Sequence, residues 1–361
     1  MKPEHKSLLL DALKDPSTCL DLDLKAWDDL LRLVRRANLL GRLAEALERS
    51  GSLNDVPELV RPHLISALTL SRHQRRAVIW EARHIGDALR SLDLPIVLLK
   101  GAAYSMAGLD ASVGRLYGDV DILVAADRIA EVEAALMLHG WSSRQTDPYD
   151  DRYYRRWMHE LPPMVNLKRG TVVDVHHNIL PSTARNHPSA EKLLEASIRL
   201  CEPPFHVLSP CDMVIHAATH LFHEGELNNG LRDLLDLDAL LQQFSGDPAF
   251  WKTLPVRARE LDLVWPLKLA FRYLDRILGV PTPIDMREAL DDVRMNDVLL
   301  DRIYLPAFMP DHVLCNDRGT AVARGMLYLR GHWLRMPIHL LALHLGRKAF
   351  MRLYKNTSRS L

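Results

Sequence analysis

From Leu8 to about Leu92, apolar residues recur at three- and four-residue spacing. Leu30, Leu31, Leu33 and Val34, then Leu39, Leu40, Leu43 and Leu47, show the signature of amphipathic helices. Gly51 and Pro57 punctuate this stretch, and one long helix is predicted from Pro57 to near Leu92, with proline in its first turn, where a missing N–H loses no partner. The period then changes. Pro95–Lys100 and Asp119–Val124 are short β-branched runs on either side of a small-residue segment that begins Gly101-Ala102-Ala103. Ala126–Gly140 reads as a helix closed by glycine, Trp141–Arg144 as a strand, and Pro148–Trp157 as an aromatic, charged loop. Met164–Leu167 and Thr171–His176 flank Lys168-Arg169-Gly170, a connection suited to a β-hairpin, and Phe205–Leu208 adds a last edge strand. From Ser209 the helical period returns, broken near Gly246, Gly279–Pro283, Pro306–Pro310 and Pro337.

The pattern predicts an α+β fold: a small mixed β-sheet core of roughly four or five strands, embedded in N- and C-terminal helical regions. The expected divisions are residues 1–93, helical; 94–208, the α/β core; and 209–361, helical with a basic tail.

Composition narrows the class. The 46 Lys and Arg balance 46 Asp and Glu, which removes the basic bias of a protein that coats nucleic acid. The balance conceals a segregation: nine basic residues and no acidic one follow Asp317, so residues 1–317 carry nine more acids than bases. The four cysteines form no CxxC pair, and the N-terminus lacks a secretory signal. The longest uncharged runs, Met213–His223 and Met336–Gly346, have 11 residues each, against the roughly 18 needed to cross a bilayer. A soluble, cytoplasmic protein without a transmembrane segment is expected.

The chemistry concentrates in four places. Residues two apart in a strand share a face, so Asp119-Val120-Asp121 sets two carboxylates together while Val120 and Ile122 face the core. Like charges so placed repel unless a cation sits between them, and hard oxygen ligands suit Mg²⁺ or Mn²⁺. Asp174, in Val172-Val-Asp-Val-His176, offers a third carboxylate if its strand is a neighbour. Lys100-Gly101-Ala102 stands at a strand-to-helix junction, where glycine admits close backbone approach and free N–H groups suit phosphate. Lys100 and Arg115 are nearby cations suited to the same phosphates.

Leu98-Leu-Lys-Gly-Ala-Ala103, then Arg115-Leu-Tyr-Gly-Asp-Val-Asp-Ile-Leu-Val124, then Val173-Asp-Val-His176, resemble the uncharacterised nucleotidyltransferase family of the polymerase-beta-like superfamily. The match is strong over about residues 95–180 and weaker over a helical segment with His216, His220 and Leu231–Asp236. The resemblance implies Mg²⁺- or Mn²⁺-dependent transfer of a nucleoside monophosphate from an NTP such as ATP to an acceptor, releasing pyrophosphate. Asp119, Asp121 and Asp174 would hold metal, with Asp174 taking the acceptor's proton. Lys100, Gly101, Ala102 and Arg115 would meet the nucleotide, and His176, His216 and His220 are candidate substrate contacts. The superfamily's Gly-Ser is Gly101-Ala102 here, one hydroxyl fewer for phosphate, and Gly101 stands 18 residues before Asp119. The acceptor, whether small molecule, RNA, protein or peptide, is not set by these residues.

Other readings stand beside this one. His216, His220 and His223 share a helix face and offer zinc ligands, polar contacts to substrate, or plain packing. His176 either orients a metal carboxylate or caps the strand face. Arg232 and Asp236 have the spacing of an intrahelical ion pair. The tail from Arg318 reads first as a packed helix with a basic outer face. For the whole chain the alternatives are a nucleotide-binding regulator without turnover, and a helical scaffold whose tail docks on RNA or membrane.

Overall fold

The computed structural model describes residues 3–143, 154–155, 157–290 and 296–336. Four helices open the chain: α1 (Pro3–Lys14), α2 (Leu24–Arg36), α3 (Leu40–Arg49) and α4 (Arg61–Leu89). Asp23 caps α2 by accepting the Ala26 N–H, and the apolar stripe buries Trp27, Leu30, Leu31, Leu33 and Val34. The long helix starts at Arg61, later than predicted. Pro57 lies in a preceding turn whose carbonyl accepts the Val60 and Arg61 N–H groups, and Pro62 fills the first-turn position.

Seven strands follow among the described residues: β1 (Ile96–Leu98), β2 (Val120–Leu123), β3 (Trp141–Ser143), β4 (Met164–Asn166), β5 (Val172–His176), β6 (Ile198–Arg199) and β7 (Phe205–Val207). They form one mixed sheet in the order β3-β4-β5-β2-β1-β7-β6. The β2–β5 and β1–β7 pairs are parallel and the other four are antiparallel. The expected hairpin is β4–β5; Gly170 turns it at φ 70°, and the Asn166 side chain accepts the Lys168 and Arg169 N–H groups. Two expectations change. The sheet has seven strands against the four or five expected: all six runs read from the sequence join it, and β6, two exposed residues too short to show a period, is added. Phe205–Val207 is interior, flanked by β1 and β6, and is not an edge strand. The predicted loop Pro148–Trp157 falls largely outside the described residues.

Short helices α5 (Lys100–Met106), α6 (Ile129–Leu138) and α7 (Ala190–Glu195) connect the strands. Then come α8 (Pro210–His223), α9 (Gly230–Phe244), α10 (Pro248–Glu260), α11 (Val264–Tyr273), α12 (Ile284–Ala289), α13 (Asp297–Phe308) and α14 (Arg318–Arg335). A π turn, Leu274–Leu278, extends α11 and closes on Gly279 at φ 74°. Pro306 lies within α13, which ends only at Phe308, and Pro337 is outside the described residues. Phe222, Tyr273, Tyr304 and Phe308 stack between α8, α11 and α13 at centroid distances of 5.0 to 6.2 Å. Buried apolar residues form one continuous cluster from Leu9 to Leu327.

A capping box of Asp317 and Thr320 starts α14, which packs on α13 and α8. Beyond the exposed Arg318 at its start, its outer face is largely apolar. Val322, Met326, Leu329 and Trp333 are exposed, whereas Arg324 pairs with Asp311 and Arg330 lies over the Trp265 ring while donating to the Phe222 carbonyl. The charges turn inward because helix-end and loop carbonyls on α8 and α13 need donors. The tail beyond Met336 lies outside the described residues. Among the described residues, no helix is long and apolar enough to cross a membrane.

Candidate active site

The parallel pairing of β2 with β5 sets Asp121 directly opposite Asp174 and Val120 opposite Val173. Val120, Ile122, Val173 and Val175 are buried, which fixes the register: a one-residue slip would drive four apolar side chains off the core. Asp119 immediately precedes β2.

Each carboxylate has a different environment. Asp121 is buried, and one oxygen, Oδ1, takes both the Lys100 ammonium at 2.9 Å and His176 Nε2 at 3.0 Å. Burial disfavours its charge, yet Lys100 and the His176 hydrogen bond hold it well below the usual carboxylate range. Asp119 moves the other way, raised first by the charge of Asp121 and then by burial. Asp174 is pushed up to about 7 by burial, with Asp121, Glu160 and Asp119 adding repulsion, and its Oδ1 is buried without a hydrogen-bond partner.

Among the described residues neither Asp119 nor Asp174 is seen in an ion pair, and one Asp174 oxygen is orphaned. The donors are hard oxygens, the class that Mg²⁺ and Mn²⁺ take, and the three aspartates are not among the described residues whose ligand atoms all lie within 4.8 Å of one another.

The predicted phosphate contacts are placed as follows. Lys100, the first residue of α5, adopts a left-handed backbone, φ 45°, and its ammonium lies on Asp121. That conformation costs about 1–2 kcal/mol for a residue with a side chain. Gly101 and Ala102 are buried at the start of α5. The space beside Gly101 is filled, since an added Cβ would meet the Tyr117 ring at 2.9 Å and Arg115 Nε at 3.0 Å. Arg115 is buried against Asp236, which also takes Arg42. Arg232 pairs with Asp233 rather than with Asp236. The intrahelical pair expected from spacing yields to the guanidiniums of Arg42 and Arg115, for which Asp236 is the carboxylate in contact among the described residues.

The three histidines of α8 do not converge. His216 is buried and held well below its ordinary pKa by burial first and then by Lys100. His220 pairs with Glu224 at 2.8 Å, and His223 Nε2 meets Asn186 at 3.1 Å. The charge of His220 reaches Asp119 and that of Lys100 reaches Glu224, so this end of α8 borders the carboxylates. A pocket of about 120 Å³ adjoins Asp119 between α4 and the starts of β2 and β5, lined by Gln74, Val78, Tyr117 and Thr171 among others.

Sequence reading missed Glu160 and His159. Residues 159–161 run antiparallel beside the end of β5, with Glu160 opposite His176 and the Leu161 N–H donating to the Val175 carbonyl. Nothing in the local pattern marks them. Among the described residues, His159, Glu160 and His176 are the three whose potential ligand atoms all lie within 4.8 Å of one another.

A family model described as an uncharacterised nucleotidyltransferase matches residues 23–279, and the chain belongs to that family. The match takes in the N-terminal helices from Asp23 and ends at Gly279, before α12. No curated protein matches the chain.

Proposed function

We propose that the protein transfers a nucleoside monophosphate from an NTP to an acceptor, releasing pyrophosphate, with Asp119, Asp121 and Asp174 holding Mg²⁺ or Mn²⁺. The observation that carries the reading is the register pairing of Asp121 with Asp174, beside an Asp119 whose pKa is raised by the charge of Asp121 and by burial, and with a buried Asp174 oxygen left without a partner. A divalent ion held by Asp119, Asp121 and Asp174 would supply positive charge to the attacking and leaving oxygens of an in-line displacement. Lys100 keeps Asp121 ionised and His176 fixes its orientation. Asp174 Oδ1, free of other bonds, is placed to accept the acceptor hydroxyl's proton.

The test is transfer of label from α-labelled NTPs, all four, with Mg²⁺ or Mn²⁺, to added acceptors or to the protein itself. Asp119→Asn and Asp174→Asn should each lower transfer roughly 100-fold or more, as should EDTA. Equal transfer by wild type and Asp119→Asn rejects the assignment.

One observation favours a second reading, nucleotide binding without turnover: Lys100 and Arg115 are both occupied by carboxylates, and Ala102 stands where the superfamily has serine. It predicts metal-dependent NTP binding by calorimetry with no pyrophosphate released.

A further inference from the structure

Beside the aspartates lies a second group of different chemistry. The bridge between Glu160 and His176 sets these residues directly opposite each other, and the His159 carbonyl, accepting the His177 N–H at 2.8 Å, draws His159 to the same place. The His159 and His176 rings are 5.3 Å apart. His176 Nδ1 lies 3.2 Å from Glu160 Oε2, which matches the roughly 3.3 Å that separates two ligands of a tetrahedral ion with bonds of about 2.0–2.1 Å.

Two further facts point to a ligand. The His176 side chain is 6% exposed, and its Nδ1, though close to Glu160, has no hydrogen-bond partner of proper geometry; buried His159 Nδ1 has none either. The other nitrogen of His176 meets Asp121, and a carboxylate on the far side of a ligating imidazole is the usual support of a metal-bound histidine.

We propose that His159, Glu160 and His176 bind a divalent transition-metal ion, with Zn²⁺ best suited to two imidazoles and a carboxylate. The site is separate from the all-oxygen set of Asp119, Asp121 and Asp174. Imidazole nitrogen discriminates against Mg²⁺, so the two neighbouring sites select different ions. Three protein ligands leave a coordination position open, and the ion ties residues 159–161 to the end of β5.

The experiment uses the full-length protein, stripped with EDTA and dialysed, in millimolar Mg²⁺ so that the aspartates are supplied. Zn²⁺ alone is titrated by calorimetry and Co²⁺ by its visible absorption, with no nucleotide present, so the result is independent of whether transfer occurs. One equivalent should bind, with affinity reduced at least about tenfold in His159→Ala and in the isosteric Glu160→Gln, and retained in Asp119→Asn. Absence of stoichiometric binding overturns the proposal, as does unchanged affinity in Glu160→Gln, which would make His176 and Glu160 a simple ion pair. A loss in Asp119→Asn equal to that in His159→Ala overturns it as well, by placing the ion on the aspartates.

Discussion

Asp236 on α9 is the sole carboxylate shown against both Arg42 of α3 and Arg115 of the segment before β2, and its side chain is only 4% exposed. Replacing it with asparagine keeps the shape and removes the charge. Two guanidiniums then remain, Arg115 buried and Arg42 half-buried, both already held below their ordinary pKa values by burial first and then by the nearby Arg232, with Arg42 at about 10. Removing one partner from a buried ion pair typically costs about 3–5 kcal/mol, because the stranded charge keeps its desolvation penalty. Unfolding entropy of about 2.1 cal/mol/K per residue over 361 residues converts this to a melting-temperature loss of roughly 4 to 7 °C. Thermal unfolding followed by circular dichroism reads the change. Asp110→Asn is the control: its partner Arg49 is 3.5 Å away, both side chains are more than half exposed, and an exposed pair is worth at most about 1 kcal/mol. If Asp236→Asn melts within about 1 °C of wild type, the buried network does not hold these three segments together and the reasoning is wrong.

Other expected outcomes concern packing, pH and an ion pair. Gly101→Ala must displace the Tyr117 ring or Arg115, so it should destabilise by about 1–3 kcal/mol in urea melts; a neutral result would show that this contact relaxes freely. His223 is buried and its pKa is lowered to about 4 by burial and then by Arg330, so the unfolded chain binds the proton first. Its contribution is intact above about pH 6.5 and is lost as pH falls toward 4, by about 3 kcal/mol, so His223→Gln should flatten the stability-against-pH curve over that window. Phe222→Ala, which removes the ring that meets Tyr273, Tyr304 and Phe308, should cost about 3–5 kcal/mol in the same urea melts. Glu81→Gln breaks the bidentate pair with Arg169, at 2.8 Å on both arms, and should loosen the β4–β5 hairpin from α4, seen as faster hydrogen exchange at residues 164–173.

The carboxylate motif was legible because it is local: alternation along Val120–Leu123 and Val172–His176 already assigns a face to each residue, and burial of the valines forces the register that joins Asp121 to Asp174. The hairpin was legible for the same reason, since Gly170 meets the positive φ its turn requires. The roles of Lys100, Gly101 and Arg115 were legible only as positions. Their partners, Asp121, Tyr117 and Asp236, were set by which elements pack together.

By itself the sequence determined the α+β class, the helical flanks and the three aspartates, since periodicity and short-range spacing are properties of the chain. Only the tertiary structure decided the rest. It brought Glu160 opposite His176 across a single bridge, drew Arg42 and Arg115 onto Asp236 over 194 and 121 positions of chain, and turned Arg324 and Arg330 of the basic tail inward. Buried charges choose partners by proximity in the packed state, where an unpaired one is costly, and no local pattern encodes which distant carboxylate or carbonyl will be there.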